Sequence, residues 1–252
     1  MSTARKLPGY DPSAFPRFAV TVDVVVFRVV AATLEVLLVR RAGPPYAGRW
    51  AIPGGFKRPN ETLEAAAQRE LEEETNVQST SSLSQLKAYG DPGRDPRMEV
   101  VTVAFFAVAN VSSAPRGGSD ASEAQFHPAR TVLTGRLKLA FDHRQIVTDA
   151  VEQLRRNLEI SNLATKFVGS RFTLSELRAV YEAIWETRLD AANFRRNLLS
   201  PVGWVKPTGK LSASASVGGK PAEYYKAGTA WRDAAPLRRS MGRASQPDRN
   251  GT

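Results

Sequence analysis

Cysteine is absent from the 252 residues, which excludes disulfides, thiolate nucleophiles and Cys-ligated zinc. Histidine is nearly as scarce: His127 and His143 are the only two, too few for a His-based metal cage, so any metal must sit on carboxylates. No apolar run is long enough to cross a membrane. The longest, Ala19–Val30, is broken by Thr21, Asp23 and Arg28 and falls short of the ~20 apolar residues a span needs. Met1–Arg17 has no apolar stretch behind Arg5 and Lys6, as a signal peptide would. These absences point to a cytoplasmic protein with no membrane partner.

What is present supports folded structure. Hydrophobic residues make up 42% of the chain, enough for at least one full core, and the length suits two domains. Charge is unevenly spread. From Val151 to Thr252 there are 17 basic and 9 acidic residues, a net +8 of the overall +10, so the basic excess is C-terminal. A solvated basic surface and a nucleic-acid partner both remain compatible with that asymmetry.

Punctuation by Pro and Gly organises the chain. Met1–Arg17 reads as an arm. Ala19–Arg28 and Leu34–Val39 read as strands joined in a hairpin, and Val100–Val108 as another strand. A helix is predicted over Thr62–Glu74, with Leu63, Ala66, Ala67 and Leu71 as its apolar stripe, and a second over His143–Leu158 through Ile146, Val147, Ala150, Val151 and Leu154. We place a first α+β domain at 18–159, a second domain at 160–227 and a disordered Arg/Gly/Pro/Ser-rich tail at 228–252.

The sharpest local pattern is Gly55, Glu61, then Arg69-Glu70-Leu71-Glu72-Glu73-Glu74-Thr75-Asn76-Val77. Glu70 and Glu74 lie one turn apart on one helix face with Glu73 beside them, so their oxygens can converge on a hard cation such as Mg²⁺ or Mn²⁺. Such an ion relieves their repulsion and can bridge a diphosphate. A Glu-rich face that is merely solvated would look similar. Gly54 and Gly55 let backbone approach phosphate oxygens closely, while Arg40, Arg41 and Arg97 are candidates for pairing with diphosphate or ribose oxygens, or plain surface charges. Trp50 reads as core, and both histidines as structural.

In the second domain, Thr173 and Glu176 form a capping-box pattern ahead of Leu174, Leu177, Val180, Tyr181, Ile184 and Trp185. After a turn, Asp190 can cap a short helix, Ala191–Leu199. That is helix-turn-helix order, followed by two strand-like stretches, Trp204–Lys210 and Ser212–Tyr225, around a basic tip. As a DNA-binding module it would use Asn193, Arg195 and Arg196 near bases or phosphates and Lys206, Lys210 and Lys220 on the backbone. A helical accessory or dimerisation domain is the other reading.

The carboxylate pattern resembles the Nudix box, G-x5-E-x7-R-E-U-x-E-E-x-G-U, at Gly55, Glu61, Arg69, Glu70, Leu71, Glu73, Glu74 and Val77; Asn76 replaces the family glycine. Asn tolerates the left-handed conformation a helix C-cap needs, so the cap is expected to survive. The resemblance gives Glu70, Glu73 and Glu74 the metal and catalytic role and pairs Arg69 with Glu61. With Asp91-Pro92-Gly93-Arg94-Asp95-Pro96-Arg97, Ala140-Phe141-Asp142-His143, Phe172-Thr173-Leu174 and Leu189–Arg196, the whole chain resembles the NrtR family, Nudix-related transcriptional regulators of NAD metabolism. That resemblance implies a Nudix α/β/α sandwich fused to a winged helix-turn-helix domain. It also implies a homodimer that binds operator DNA and ADP-ribose or a related nucleotide, and represses NAD biosynthesis or salvage genes. A Mg²⁺-dependent ADP-ribose pyrophosphatase whose C-terminal domain only dimerises stays open beside it.

Overall fold

The computed structural model describes residues 11–77, 83–109, 115–118, 121–200, 203–212, 221–229, 237 and 239. Strands β1 (Ala19–Val30) and β2 (Thr33–Arg41) form the expected hairpin, closing at Val30↔Thr33. Its two turn residues, Ala31 and Ala32, both have positive φ (45° and 57°), the pattern of a type I′ turn. Alanine pays for that conformation through its Cβ, by about 1 kcal/mol per residue. Replacing the pair by Asn-Gly is therefore expected to raise the unfolding free energy by about 1 kcal/mol or more, read by urea denaturation.

The main sheet runs β3 (Trp50–Ala51), β2, β1, β6 (Val100–Val108), β5 (Ser84–Tyr89), with β4 (Gly54–Phe56) also on β1 and β7 (Ala121–Pro128) also on β2. β1 and β6 are parallel from Ala19↔Val100 to Phe27↔Val108. Successive side chains of β1 point to opposite faces. Val22, Val24 and Val26 pack with Leu37 and Phe105 against α1 (Leu63–Thr75), while Val25, Phe27 and Val29 pack with Val36, Leu38 and Phe106 beneath α2 (Ala129–Leu133) and α3 (His143–Ile160). Burial on both faces is why β1 reads as a continuous valine run rather than an alternation. The result is an α/β/α sandwich.

α1 starts at Thr62, whose hydroxyl accepts the Ala65 N–H (3.1 Å), and ends at Asn76, left-handed at φ 53° with its N–H on Glu72 O. The substitution of Asn for glycine thus keeps the cap. Residues 115–118 cross this end: Arg116 N–H donates to Thr75 O (2.9 Å) and Gly118 N–H to Glu74 O (3.1 Å), satisfying carbonyls the helix leaves open.

α3 carries the predicted stripe of Ile146, Val147, Ala150, Val151, Leu154 and Leu158, all buried. Beyond it come a 3₁₀ turn (Asn162–Phe167), β8 (Phe172–Thr173), α4 (Leu174–Trp185), α5 (Ala191–Leu199), β9 (Val205–Leu211) and β10 (Glu223–Ala227), with β10 central in a small sheet of order β8-β10-β9. This is a winged helix. The Thr173–Glu176 capping box forms in both directions, at 3.2 and 2.7 Å. One apolar core passes from the main sheet through α3 into Leu177, Val180, Tyr181, Ile184 and Trp185.

The strand expected from Ser212 begins at Glu223, and residues 213–220, Lys220 among them, lie outside the described residues. The tail is not uniformly unstructured: Leu237, 2% exposed, belongs to the core, and Arg239 N–H donates to Glu159 on α3 (2.8 Å). A polar composition averaged over 25 residues hides a single apolar anchor. Strands β5 and β7 went unforeseen, being poor in branched residues.

Candidate functional site

A cavity of about 490 Å³ opens between the ends of β1, β2 and β4, the 91–97 turn and the start of α3. Its wall includes Gly54, Gly55, Arg41, Arg97 and Glu74 of the residues proposed from sequence, together with Asp23, Arg94, Phe56, Phe141 and His143. Arg40 is not in that wall. It faces away, with its Nε on Gly48 O (3.2 Å) and Nη1 3.7 Å from Glu123. The reason is strand alternation: Arg41 and Arg40 leave β2 on opposite faces.

The glycines are fixed by contact. A Cβ on Gly54 would meet Val22 O at 2.3 Å and Asp23 Oδ1 at 2.6 Å; one on Gly55 would meet the Glu70 carboxyl at 2.6 Å. Gly54 N–H also donates to Glu74 (3.0 Å), tying the loop to α1. Arg69 binds Glu61 through Nε (3.1 Å) and Nη2 (2.7 Å), and Nη2 also reaches Phe56 O (3.2 Å), so one guanidinium clamps the loop after β4 onto the helix. The Arg69 hydrogen bonds, followed by the Arg58 N–H, hold the Glu61 carboxyl down at about 2.

Of the three carboxylates assigned to metal, Glu70 and Glu73 share one cationic atom: their oxygens lie 2.6 and 3.3 Å from Arg69 Nη1. Glu73 also pairs with Arg58 (3.1 Å), a partner that sequence reasoning missed, and Glu74 turns toward Gly54. Among the described residues no three acidic or imidazole side chains gather as a preformed cage. The donors nonetheless suit a hard cation, being all oxygen, with two already directed at a single positive centre.

The cavity floor was not foreseen. Asp23, 6% exposed, stands in the odd register of β1, facing α3. Arg94 makes a bidentate pair with Asp142 (2.9 and 2.8 Å) and comes within 3.7 Å of Asp23. Asp142 sits at the N-cap of α3 but makes no capping bond, because Arg94 occupies its carboxylate. Phe141, lining the cavity, is held left-handed at φ 51°, edge-on to Tyr46 (4.9 Å), with the Arg41 guanidinium 4.9 Å from its ring. Strain of this kind persists where surroundings over-determine it, here at the cavity. The signal available in sequence was a lone carboxylate interrupting a strand otherwise buried on both faces.

His143 Nδ1 accepts the Ile52 N–H (3.0 Å), so its proton is on Nε2. Burial pushes the His143 imidazole below its ordinary 6.5, with Asp23 opposing, and burial does the same to His127, whose ring lies edge-on to Trp50 (4.4 Å). An imidazole kept neutral by the fold but free to protonate when unfolded stabilises above about pH 6.5, and that contribution is lost as pH falls through and below it. The thermal midpoint is therefore expected to drop between about pH 7 and 5.5, and Gln at both positions to flatten that slope.

At the other end, Asp190 caps α5 through Asn193 N–H (2.8 Å). Phe194 and Leu198 are buried, leaving Asn193, Arg195 and Arg196 exposed on the outer face, where Arg196 donates to Asn193 Oδ1 (2.7 Å). Lys206 and Lys210 are exposed on β9. Lys206 stands directly opposite Lys226 of β10, a residue not singled out from sequence. Like charges facing across strands are unfavourable unless a polyanion lies over them. Between cavity and wing, Arg155 on α3 is buried, donating to Ile184 O (2.9 Å), Glu152 (2.6 Å) and Glu186 (2.9 Å), while Trp185 Nε1 donates back to Arg155 O (3.2 Å).

An α/β/α sandwich with a carboxylate-bearing loop-helix beside a deep cavity, continuous with a winged helix that exposes a basic outer face, defines a Nudix domain fused to a DNA-binding domain. Residues 18–150 match the NUDIX domain family, and residues 164–227 match the NrtR DNA-binding winged helix domain. The chain is 32% identical over 222 residues to the ADPR responsive transcriptional repressor NtrR of Acinetobacter baylyi, covering 87% of this chain and 86% of that one. Among solved structures it is similar to Shewanella oneidensis NrtR complexed with a 27mer DNA (TM-score 0.69, 31% identity, 82% of this chain and 93% of that one). It is also similar to the NUDIX domain of that protein complexed with ADP ribose (TM-score 0.53, 37% identity, 58% and 94%). The chain belongs to the NrtR family.

Proposed function

We propose that this chain is a cytoplasmic, DNA-binding transcriptional repressor of NAD biosynthesis or salvage genes, released from its operator when ADP-ribose or a related NAD-derived nucleotide enters the Nudix cavity. One observation carries the reading: a single helix, α3, starts in the cavity wall at His143 and grips the winged helix through Arg155. At 1.5 Å per residue that helix spans about 27 Å, a rigid link between the two sites. Guanidiniums of Arg41 and Arg97 and the rings of Phe56 and Phe141 suit a nucleoside diphosphate, with Gly54 and Gly55 giving backbone approach. Glu70, Glu73 and Glu74 would hold Mg²⁺ or Mn²⁺, which supplies positive charge for the diphosphate. A homodimer would set two α5 helices on a pseudo-palindromic operator, with Asn193, Arg195, Arg196, Lys206, Lys210 and Lys220 at the duplex. The ligand regulates only if it binds the DNA-free arrangement more tightly.

The test is binding of a labelled promoter duplex at two salt concentrations. Phosphate contacts predict a loss of roughly a hundredfold or more between about 50 and 200 mM salt; an affinity that is absent or flat with salt would count against DNA recognition.

The complete carboxylate set also permits hydrolysis of ADP-ribose to AMP and ribose 5-phosphate. If the chain hydrolyses it, Glu73→Gln or Glu74→Gln is expected to abolish turnover and leave operator binding in place. Loss of both together would show that the two functions are not separable.

A further inference from the structure

The carboxylate of Asp23 is more than nine-tenths buried, lines the cavity, and accepts no hydrogen bond from the described residues. Its two polar contacts are too long for one: His143 Nε2 at 3.6 Å from Oδ1 and Arg94 Nη2 at 3.7 Å from Oδ2. Arg94 is already committed to Asp142. Buried carboxylates are costly without partners, so this one is built for a donor that arrives from the cavity. Across the gap, His143 presents an N–H, since its other nitrogen is taken by Ile52. An acceptor and a donor 3.6 Å apart, each too far to satisfy the other, are bridged by one atom that donates and accepts at once. A hydroxyl does this; a phosphate oxygen, acceptor only, does not. The Asp23 carboxylate itself disfavours an anionic group at the floor, whereas the half-exposed Arg97 side chain and the exposed Phe56 ring lie toward the rim.

We infer that Asp23 and His143 form a sugar-hydroxyl subsite, which receives one hydroxyl of the terminal ribose when the nucleotide's base and diphosphate occupy the rim. This rests on the ADP-ribose reading above and adds which end of the ligand goes deepest. The hydroxyl donates to Asp23 Oδ1 and accepts from His143 Nε2, joining β1 to the first residue of α3.

The experiment is calorimetric titration of wild type and the isosteric Asp23→Asn variant with ADP-ribose and with ADP, which lacks the terminal ribose. Wild type is expected to prefer ADP-ribose. Asp23→Asn should cut its ADP-ribose affinity about tenfold or more, the scale of a hydrogen bond to a charged group, while ADP affinity changes no more than about twofold. A ligand-side arm needs no variant: among monodeoxy analogues of the terminal ribose, one should bind wild type about tenfold more weakly. Equal weakening of both nucleotides in Asp23→Asn, an unchanged preference, or indifference to every deoxy analogue overturns the subsite alone. Wild type that binds neither nucleotide overturns the ADP-ribose reading as well.

Discussion

Replacing Arg195 and Arg196 together by alanine is expected to weaken operator binding about a hundredfold or more at moderate salt, with the salt dependence flattening by up to about four phosphate contacts' worth, two from each protomer of the proposed dimer. Both side chains are exposed on α5, which is anchored to the core by Phe194 and Leu198 on the opposite face. Melting temperature and ADP-ribose affinity should therefore stay within experimental scatter of wild type. Arg195 also bonds the Tyr225 hydroxyl, but that hydroxyl keeps its own bond to Glu223 (2.6 Å) when the guanidinium is removed. Retained operator affinity in a folded double variant would move the DNA contacts off this helix.

The second large effect is at Arg155. Its guanidinium takes up the Ile184 carbonyl at the end of α4 and the Glu186 carboxylate at the residue that terminates that helix, left-handed at φ 52°. Glu182, one turn earlier, accepts the Leu189 N–H (2.8 Å), so the same short stretch fixes the turn that aims α5. Arg155→Met keeps the apolar stem but strands a buried carbonyl, at a cost of about 2 kcal/mol; Glu186 is half exposed and rehydrates cheaply. For a chain of this size that lowers the melting temperature by roughly 4–8 °C. The larger consequence is for regulation: the variant should bind operator and ADP-ribose separately, with the effect of one on the other reduced to about a third or less of its coupling free energy. A variant whose nucleotide response is as strong as wild type's would show that the signal bypasses α3.

Much of this was legible in the residues because local rules and tertiary packing agree there. The valine-dense β1, the 3.6-residue stripes of α1 and α3, the Thr173–Glu176 box and the Asp190 cap all form as their spacing dictates. Asn76 in place of glycine works because the position asks only for a left-handed cap. The unseen parts lack local signals. β7 has Ala121, Ala124 and Phe126 as its buried residues, and becomes a strand because the outer edge of β2 pairs with it. Arg40 and Arg41 are equal on composition, and only register sends one into the cavity. Asp23 was visible as a break in an apolar run, yet its meaning depends on His143, 120 positions away in the chain. Leu237 likewise has no neighbours in sequence to announce its seat in the core.

If one chain couples a nucleotide cavity to a DNA-reading helix, linkage makes that coupling directly measurable. Operator affinity is titrated with and without saturating ADP-ribose, and ADP-ribose affinity with and without saturating operator, under one buffer. Each ligand is expected to weaken the other by the same factor, about tenfold or more. Operator binding that is indifferent to ADP-ribose, in a protein that demonstrably binds both, would contradict it.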